Sequence, residues 1–277
     1  MLAEGRAPRE LAQHLAGATL VALSKDDADV RPIAVGEVLR RLTSKCLCAA
    51  ARDSAREIFE PIQVGLACPL GMEAAVHSVA QYRERNIASR RKLILTIDFR
   101  NAFNSMSRIA FLRACTTQLP SVSAWTSWCY SSPSRLLFSG HVLPSKAGLQ
   151  QDDNLGPLLF SLALQPILTR MKAVSVVELV IGYLDDVVVA GDDTAISDAL
   201  QILQLALEDL EFNLNLQTSE LISTAGADSG ANLDAFPADI KRVGNCSFKF
   251  IRTPIEPRKY VAAFTQEKRV DKSSALL

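Results

Sequence analysis

The stretch VVELVIGYLDDVVVAGDD at residues 176–193 constrains the fold more than any other. Two runs rich in Val, Ile and Tyr, 176–183 and 187–190, flank Asp185 and Asp186. Such residues favour strands, and a short polar break between two such runs is a β-hairpin signal. This break carries two negative charges pressed against apolar residues on both sides. A carboxylate beside a core is costly unless something compensates it. A solvated Asp-rich turn meets that demand, since Asp is a common turn residue. So does a cation at the hairpin tip. The hairpin alone leaves both readings open.

The chain has 277 residues, enough for one large domain or two intimately packed subdomains. Its formal net charge is zero and its pI about 6.8. That total gives no support to a nucleic-acid binder, which usually carries a basic face, although totals hide clustering. Cys46, Cys48, Cys68, Cys115, Cys129 and Cys246 are scattered through a chain too large to need disulfide staples. They read as reduced thiols of an intracellular protein, cytoplasmic or nuclear. Cys46 and Cys48 form a lone C-x-C, which makes a zinc site improbable. The start MLAEGRAPRE has no apolar segment of a secretory signal. No run approaches the roughly 18 apolar residues of a membrane span, so no membrane partner is expected.

Along the chain, residues 1–17 suggest an amphipathic helix, followed by a strand-like LVAL and an edge strand VRPIAV at 30–35. Residues 36–60 suggest one long helix with Val38, Leu39, Leu42, Leu47 and Ile58 inward, and Arg40, Arg41 and Lys45 along it. Those three could meet phosphates, although a basic helix face is more often solvated. Residues 61–70 are an irregular connector, and 71–90 a second helix. KLILTI at 92–97 is a buried strand ending in Asp98, with Ser107 a candidate N-cap for a helix over 108–118. A short aromatic helix at 125–130 precedes a hairpin through Ser139 and Gly140. The polar loop GLQQDDNLGP at 148–157 feeds an apolar helix over 158–171. Beyond the central hairpin, Ile196, Leu200, Leu203, Leu207 and Leu210 mark a helix over 195–210. A strand pair at 212–222, a loop at 224–238, a strand at 247–251 and a helical tail at 258–277 complete the reading.

Asp98 and Asp185 lie 87 positions apart. They converge only if the 92–97 strand pairs beside the hairpin in one sheet. Carboxylates converging there suit two divalent cations about 3.5–4 Å apart, an arrangement fitted to in-line phosphoryl transfer. Magnesium is the natural candidate, because it takes oxygen ligands and tolerates bridging phosphates.

Five blocks in order carry a family resemblance. They are Arg31-Pro32-Ile33 with Arg40, Arg41, Leu42 and Lys45; LTIDFRNAFNSMSR at 95–108; GLQQDDNLGPLLF at 148–160; YLDD at 183–186; and LNLQTSE at 214–220. Together they resemble the reverse transcriptase domain of the non-LTR retrotransposon and group II intron type. The resemblance implies an α+β fold. A right-hand polymerase palm, an antiparallel sheet backed by helices, would carry Asp98 and the YLDD hairpin. A partial, helix-rich fingers subdomain and little or no thumb would accompany it. On that pattern residues 1–91 are fingers, 92–119 palm, 120–147 a fingers–palm connection, 148–257 palm, and 258–277 a C-terminal helix where a thumb could start. It implies that Asp98 and Asp185 ligate two Mg²⁺ (or Mn²⁺) ions, supported by Asp186, with the Phe99 carbonyl a further ligand. Phe103 would lie under the incoming sugar and exclude a 2′-hydroxyl. Gln151 would position nucleotide and template, and Arg31 and Lys25 would contact the triphosphate. The implied partners are an RNA template, a DNA primer and deoxynucleoside triphosphates.

The departures fall at informative places. Asp152 stands at the glycine after Gln151, and Asn154 replaces the loop proline. Thr218 occupies the position of a lysine thought to protonate pyrophosphate. FIRTPIEP at 250–257 resembles a primer-contact segment in which Arg252 and Glu256 replace both glycines. Three readings remain: a divergent RNA-directed DNA polymerase, a retroelement relic with little activity, or a module with this fold that binds nucleic acid or protein.

Overall fold

A computed structural model describes residues 1–24, 30–244 and 247–255, without the side chains of Ser24, Arg31 and Ala227. In chain order the elements begin α1 (Ala12–Leu15), β1 (Ala18–Ser24), β2 (Val30–Gly36), α2 (Val38–Ala50), α3 (Arg52–Phe59) and α4 (Gly71–Arg85). Next come β3 (Lys92–Ile97), β4 (Phe99–Arg100), α5 (Ala102–Ser105), α6 (Arg108–Gln118), α7 (Pro120–Tyr130), β5 (Ser134–Phe138), β6 (His141–Ser145) and α8 (Gly156–Lys172). The last are β7 (Val177–Tyr183), β8 (Asp186–Asp192), α9 (Asp193–Leu210), β9 (Asn213–Leu214), β10 (Glu220–Ser223), β11 (Lys241–Val243), β12 (Phe248–Phe250) and β13 (Thr253–Ile255). The mixture of helix and largely antiparallel sheet, with parallel pairs at β1–β5 and β10–β11, is the α+β class expected from sequence. The helical tail expected at 258–277 lies outside the described residues.

The chain forms two compact units, and each threads through the sequence more than once. One gathers residues 1–60, 100–166 and 205–213, and the other residues 61–99, 167–204 and 214 onward.

The second unit holds a five-stranded sheet in the order β11-β10-β3-β8-β7. Its centre is KLILTI, a nearly continuous apolar run, as a strand covered on both faces requires. β3 pairs antiparallel with β8, Leu95 opposite Val189 and Ile97 opposite Val187. On β3's other side, Leu221 of β10 faces Leu95. One face of the sheet buries Ile94, Ile181, Val188 and Ile222 against Ala75, Val79 and Tyr82 of α4 and against Phe248, Phe250 and Ile255. Asp193 starts α9 by accepting from the Thr194 amide (2.9 Å) and from Arg91 (2.7 Å), and its other oxygen accepts from the Asn232 amide (2.7 Å).

The first unit holds a sheet in the order β2-β1-β5-β6. Its β5–β6 hairpin closes with Phe138 opposite His141, around Ser139 and Gly140 as expected. The helix expected over 36–60 is two helices that break at Ala51, and its expected sidedness is reversed. Val38, Leu39 and Leu42 are exposed, whereas Arg40 and Ser44 are the buried residues of α2. Burial tracks polar partners here. Ser44 accepts from the Trp125 indole (3.1 Å), and Arg40 enters a network of charged and polar side chains. Its guanidinium donates to Asp153 (2.7 Å), to the Ala16 carbonyl (2.7 Å) and to Gln150, and it lies 5.1 Å from the Tyr130 ring centre. From sequence, Arg40 could meet phosphates or sit on a solvated face. At 1% exposure it does neither, and its charge is taken up by Asp153.

Candidate active site

The site grows from the register of β3 and β8. Ile97 is opposite Val187, so the next residue towards the edge is Asp98 on one strand and Asp186 on the other. β7 and β8 close with Tyr183 opposite Asp186, leaving Leu184 and Asp185 as a two-residue turn. Asp98 and Asp186 thus stand side by side at one edge of the sheet, with Asp185 in the adjoining turn. Asp186 is the first residue of its strand rather than part of the polar break.

An open cleft of about 240 Å³ lies there, lined by Asp98, Asp186, Thr218, Glu220, Lys249 and Ile251 among others. Asp186 as a residue is exposed at the mouth of this cleft, while the cleft walls partly enclose its carboxyl. Burial by the cleft walls raises its carboxyl to about 6, helped by the negative charges of Asp185 and Asp98 and opposed by Arg252.

Asp98 is fixed by the LNLQTSE block from the far end of the chain. Its amide donates to Ser219 Oγ (3.1 Å), and its carbonyl accepts from the Asn215 amide (2.9 Å). Its carboxylate Oδ2 accepts from Asn215 Nδ2 (3.1 Å) and from Thr218 Oγ1 (2.5 Å). From sequence, Thr218 is only a missing lysine. The structure gives it a present role, as a donor to Asp98. Glu220 meets Lys241 (2.6 Å).

Lys249 to Ile255 form a hairpin beside the cleft. Phe250 pairs with Thr253, so Ile251 and Arg252 make its two-residue turn, with φ of 49° and 56°. Two positive φ values define a turn that favours glycine or asparagine. Here a β-branched residue and an arginine hold it, and Glu256 lies outside the described residues.

The sequence profile described as reverse transcriptase (RNA-dependent DNA polymerase) matches residues 23–251. The chain belongs to the reverse transcriptase family. Among curated proteins it is 27% identical over 241 residues to the retrotransposable element SLACS 132 kDa protein of Trypanosoma brucei gambiense, covering 84% of this chain. It spans 19% of that relative's length. Among solved structures it resembles telomerase of Candida albicans in complex with a fragment of telomeric RNA (TM-score 0.58, 11% identity, 88% of this chain and 45% of that one). It also resembles apo telomerase of Candida tropicalis (TM-score 0.60, 9% identity, 87% and 53%). At these identities the telomerases share the fold.

The remaining residues singled out for the reverse transcriptase site divide between the two units. Asp98, Phe99, Asp185 and Asp186 belong to one. Phe103, Gln151, Arg31, Arg41 and Lys45 belong to the other. Phe103 stacks on Phe160, ring centres 4.7 Å apart, and its carbonyl accepts from the Leu149 amide (2.7 Å). Gln151 is half-buried, and its neighbour Gln150 is the buried one, donating to the Ala16 carbonyl and Ser134 Oγ (both 3.1 Å). Arg41 pairs with Asp152 at 3.4 Å, and Lys45 is exposed. Lys25 lies outside the described residues. Among the described residues no three His, Cys, Asp or Glu side chains already close on one point, and no helix is long and apolar enough to cross a membrane.

Proposed function

We propose that this chain is the RNA-directed DNA polymerase domain of a retroelement, extending a DNA primer along an RNA template. The observation that carries the reading is the placement of Asp98 and Asp186 side by side at one sheet edge, lining an open cleft, with Asp185 in the adjoining turn. The candidate ligands Asp98, Asp185, Asp186 and the Phe99 carbonyl would offer carboxylate and carbonyl oxygens, the donors a hard divalent cation takes. The raised carboxyl of Asp186 marks negative charge that such a cation would relieve. Asp98, Asp185, Asp186 and the Phe99 carbonyl would hold two Mg²⁺ or Mn²⁺ ions. When bound, these would supply positive charge opposite the attacking 3′-oxygen and the departing pyrophosphate.

The chain's own residues do the rest by position. Ser219 and the Asn215 amide fix the backbone of Asp98, so its carboxylate has a defined origin. Asn215 and Thr218 orient that carboxylate and compete with a metal for its Oδ2. The nucleotide-binding roles of Phe103, Gln151, Arg31 and Lys25 are carried over residue by residue from the family's motifs, and the lysine thought to protonate pyrophosphate has no counterpart, Thr218 standing in its place. Chemistry of this kind is positioning and electrostatics.

Pyrophosphate release tests the reading. Release should require RNA template, annealed DNA primer, the matching deoxynucleotide and Mg²⁺ or Mn²⁺ together. Release that persists without template, or none from folded protein with all four, contradicts it.

A further inference from the structure

The connector at 61–70 carries a buried side chain that the polymerase reading does not use. Gln63 is wholly buried. Its Nε2 donates to the Leu184 carbonyl (3.1 Å), and its Oε1 accepts from the Leu184 amide (2.8 Å) and the Gly65 amide (3.3 Å). One amide side chain thus satisfies both backbone groups of a single residue in the turn. The neighbouring backbone is tied in as well. The Val64 amide donates to the Gly182 carbonyl, and the Gly182 amide to the Ile62 carbonyl, both at 2.8 Å.

Two glycines make the approach possible. A Cβ on Gly182 would lie 2.9 Å from Gln63 Nε2, and one on Gly65 would lie 2.8 Å from the Leu184 amide nitrogen. Leu184 itself sits at φ 59°, a backbone state that a leucine rarely holds unaided. The next two residues are Asp185 and Asp186. A turn held against its own preference, by a buried side chain that bonds both of its backbone groups, fixes the direction in which the chain leaves it.

We propose that Gln63 is a positioning residue. By clamping Leu184 in the left-handed state it sets Asp185 and Asp186 against Asp98, and so sets the metal affinity of the cluster. The inference rests on the polymerase reading of those carboxylates. Gln63 touches no substrate and acts only through the turn.

The test reads three quantities on the full chain, for wild type, Gln63→Ala and the double variant Gln63→Ala/Leu184→Asn. Asparagine tolerates the left-handed state far better than leucine, so it replaces the clamp without restoring Gln63. The first readout is hydrogen exchange of the Leu184 amide, whose acceptor is Gln63. The second is Mn²⁺ binding by electron paramagnetic resonance, with the metal alone. The third is the split between kcat and the deoxynucleotide KM in primer extension.

In Gln63→Ala, Leu184 should exchange about tenfold faster or more, while amides in the middle of β3 and β8 keep their protection. Mn²⁺ affinity should fall about tenfold, as removal of a ligand-orienting partner typically does. The kcat should fall with KM within twofold, and the double variant should recover most of the Mn²⁺ affinity. Unchanged Leu184 exchange, unchanged Mn²⁺ affinity, or no recovery in the double variant overturns the proposal. If Gln63→Ala does not fold, Gln63→Met serves in its place, because it keeps nearly the same volume and removes both hydrogen bonds to Leu184. If the wild type binds no Mn²⁺, the polymerase reading fails, and exchange at Leu184 still decides whether the clamp exists.

Discussion

Substituting Asp153→Asn removes the counter-charge of an arginine that has almost no access to water. Arg40 is 1% exposed, and Asp153 is equally enclosed. The Asp153 carboxylate accepts from Arg40 (2.7 Å), the Tyr130 hydroxyl (2.6 Å) and the Leu155 amide (3.1 Å). Asparagine of the same shape turns an acceptor into a donor that faces another donor, and it leaves the guanidinium unpaired. Breaking a buried pair in this way costs about 3–5 kcal/mol. That is a large share of the roughly 5–15 kcal/mol that holds a typical domain together. At about 2–4 °C per kcal/mol for a chain of this size, the melting midpoint should drop by roughly 10 °C. Thermal and urea unfolding followed by circular dichroism would read it. The double variant Arg40→Met/Asp153→Leu should sit much closer to wild type, because an apolar pair carries no stranded charge. The pH dependence has a definite sign. Burial pushes the Asp153 carboxyl up, but the Arg40 charge, the Tyr130 hydroxyl and the Leu155 amide outweigh it and hold the carboxyl below its ordinary range. A group lowered in the folded state stabilises above its unfolded pKa near 4 and loses that contribution as pH falls further. Asp153→Asn should therefore lose its deficit in acid. An Asp153→Asn midpoint within 2 °C of wild type, or a double variant as unstable as the single, refutes the reasoning. So would an Arg40→Met variant that folds normally and lowers the salt slope of RNA binding by about one, the mark of a phosphate contact.

Thr218→Lys returns a cation to the place where the family carries one and removes a donor from Asp98. Primer-extension rate should rise about tenfold or more, since a single such group is typically worth about 10²–10³; an unchanged rate would show that the site does not use it. Arg252→Gly relieves a left-handed arginine, and the strain removed exceeds the added chain entropy by about 1 kcal/mol, so the midpoint should rise by about 2–4 °C. In metal-free buffer the raised carboxyl of Asp186, set by burial, Asp185 and Asp98 against Arg252, makes the folded chain bind more proton than the unfolded chain between about pH 4 and 6. Stability should fall as pH rises through that window and level off above it, and Asp186→Asn should abolish the slope.

What the sequence revealed and what it hid divide along physical lines. The hairpin and the 92–97 strand were legible because β-branched runs broken by charge have few other uses. Their pairing was, from the residues, only the condition under which Asp98 and Asp185 converge, and the family resemblance gave the reason to expect it. The contact of Asn215 and Thr218 with Asp98 spans 117 and 120 positions, which no local pattern encodes. Arg40 was misread because a basic residue on an amphipathic helix is ordinarily solvated, and its exposed neighbours Val38, Leu39 and Leu42 mimic an inward face. Only the acidic partner Asp153, 113 positions away, explains the inversion. Gln63 was hidden for a similar reason. A neutral amide in a glycine-flanked connector carries no periodicity, and its value lies in the strained turn it meets.

The central claim is that Asp98, Asp185 and Asp186 form a working nucleotidyl-transfer centre. Its most direct test is gel-resolved primer extension on an RNA template with an annealed DNA primer, deoxynucleotides and Mg²⁺ or Mn²⁺. Wild type is compared with Asp185→Asn, which removes one charge with little change of shape. The account predicts extension by wild type and its loss in Asp185→Asn, with template binding intact in both. Extension that survives in Asp185→Asn, or none from folded wild type that binds the template, contradicts it.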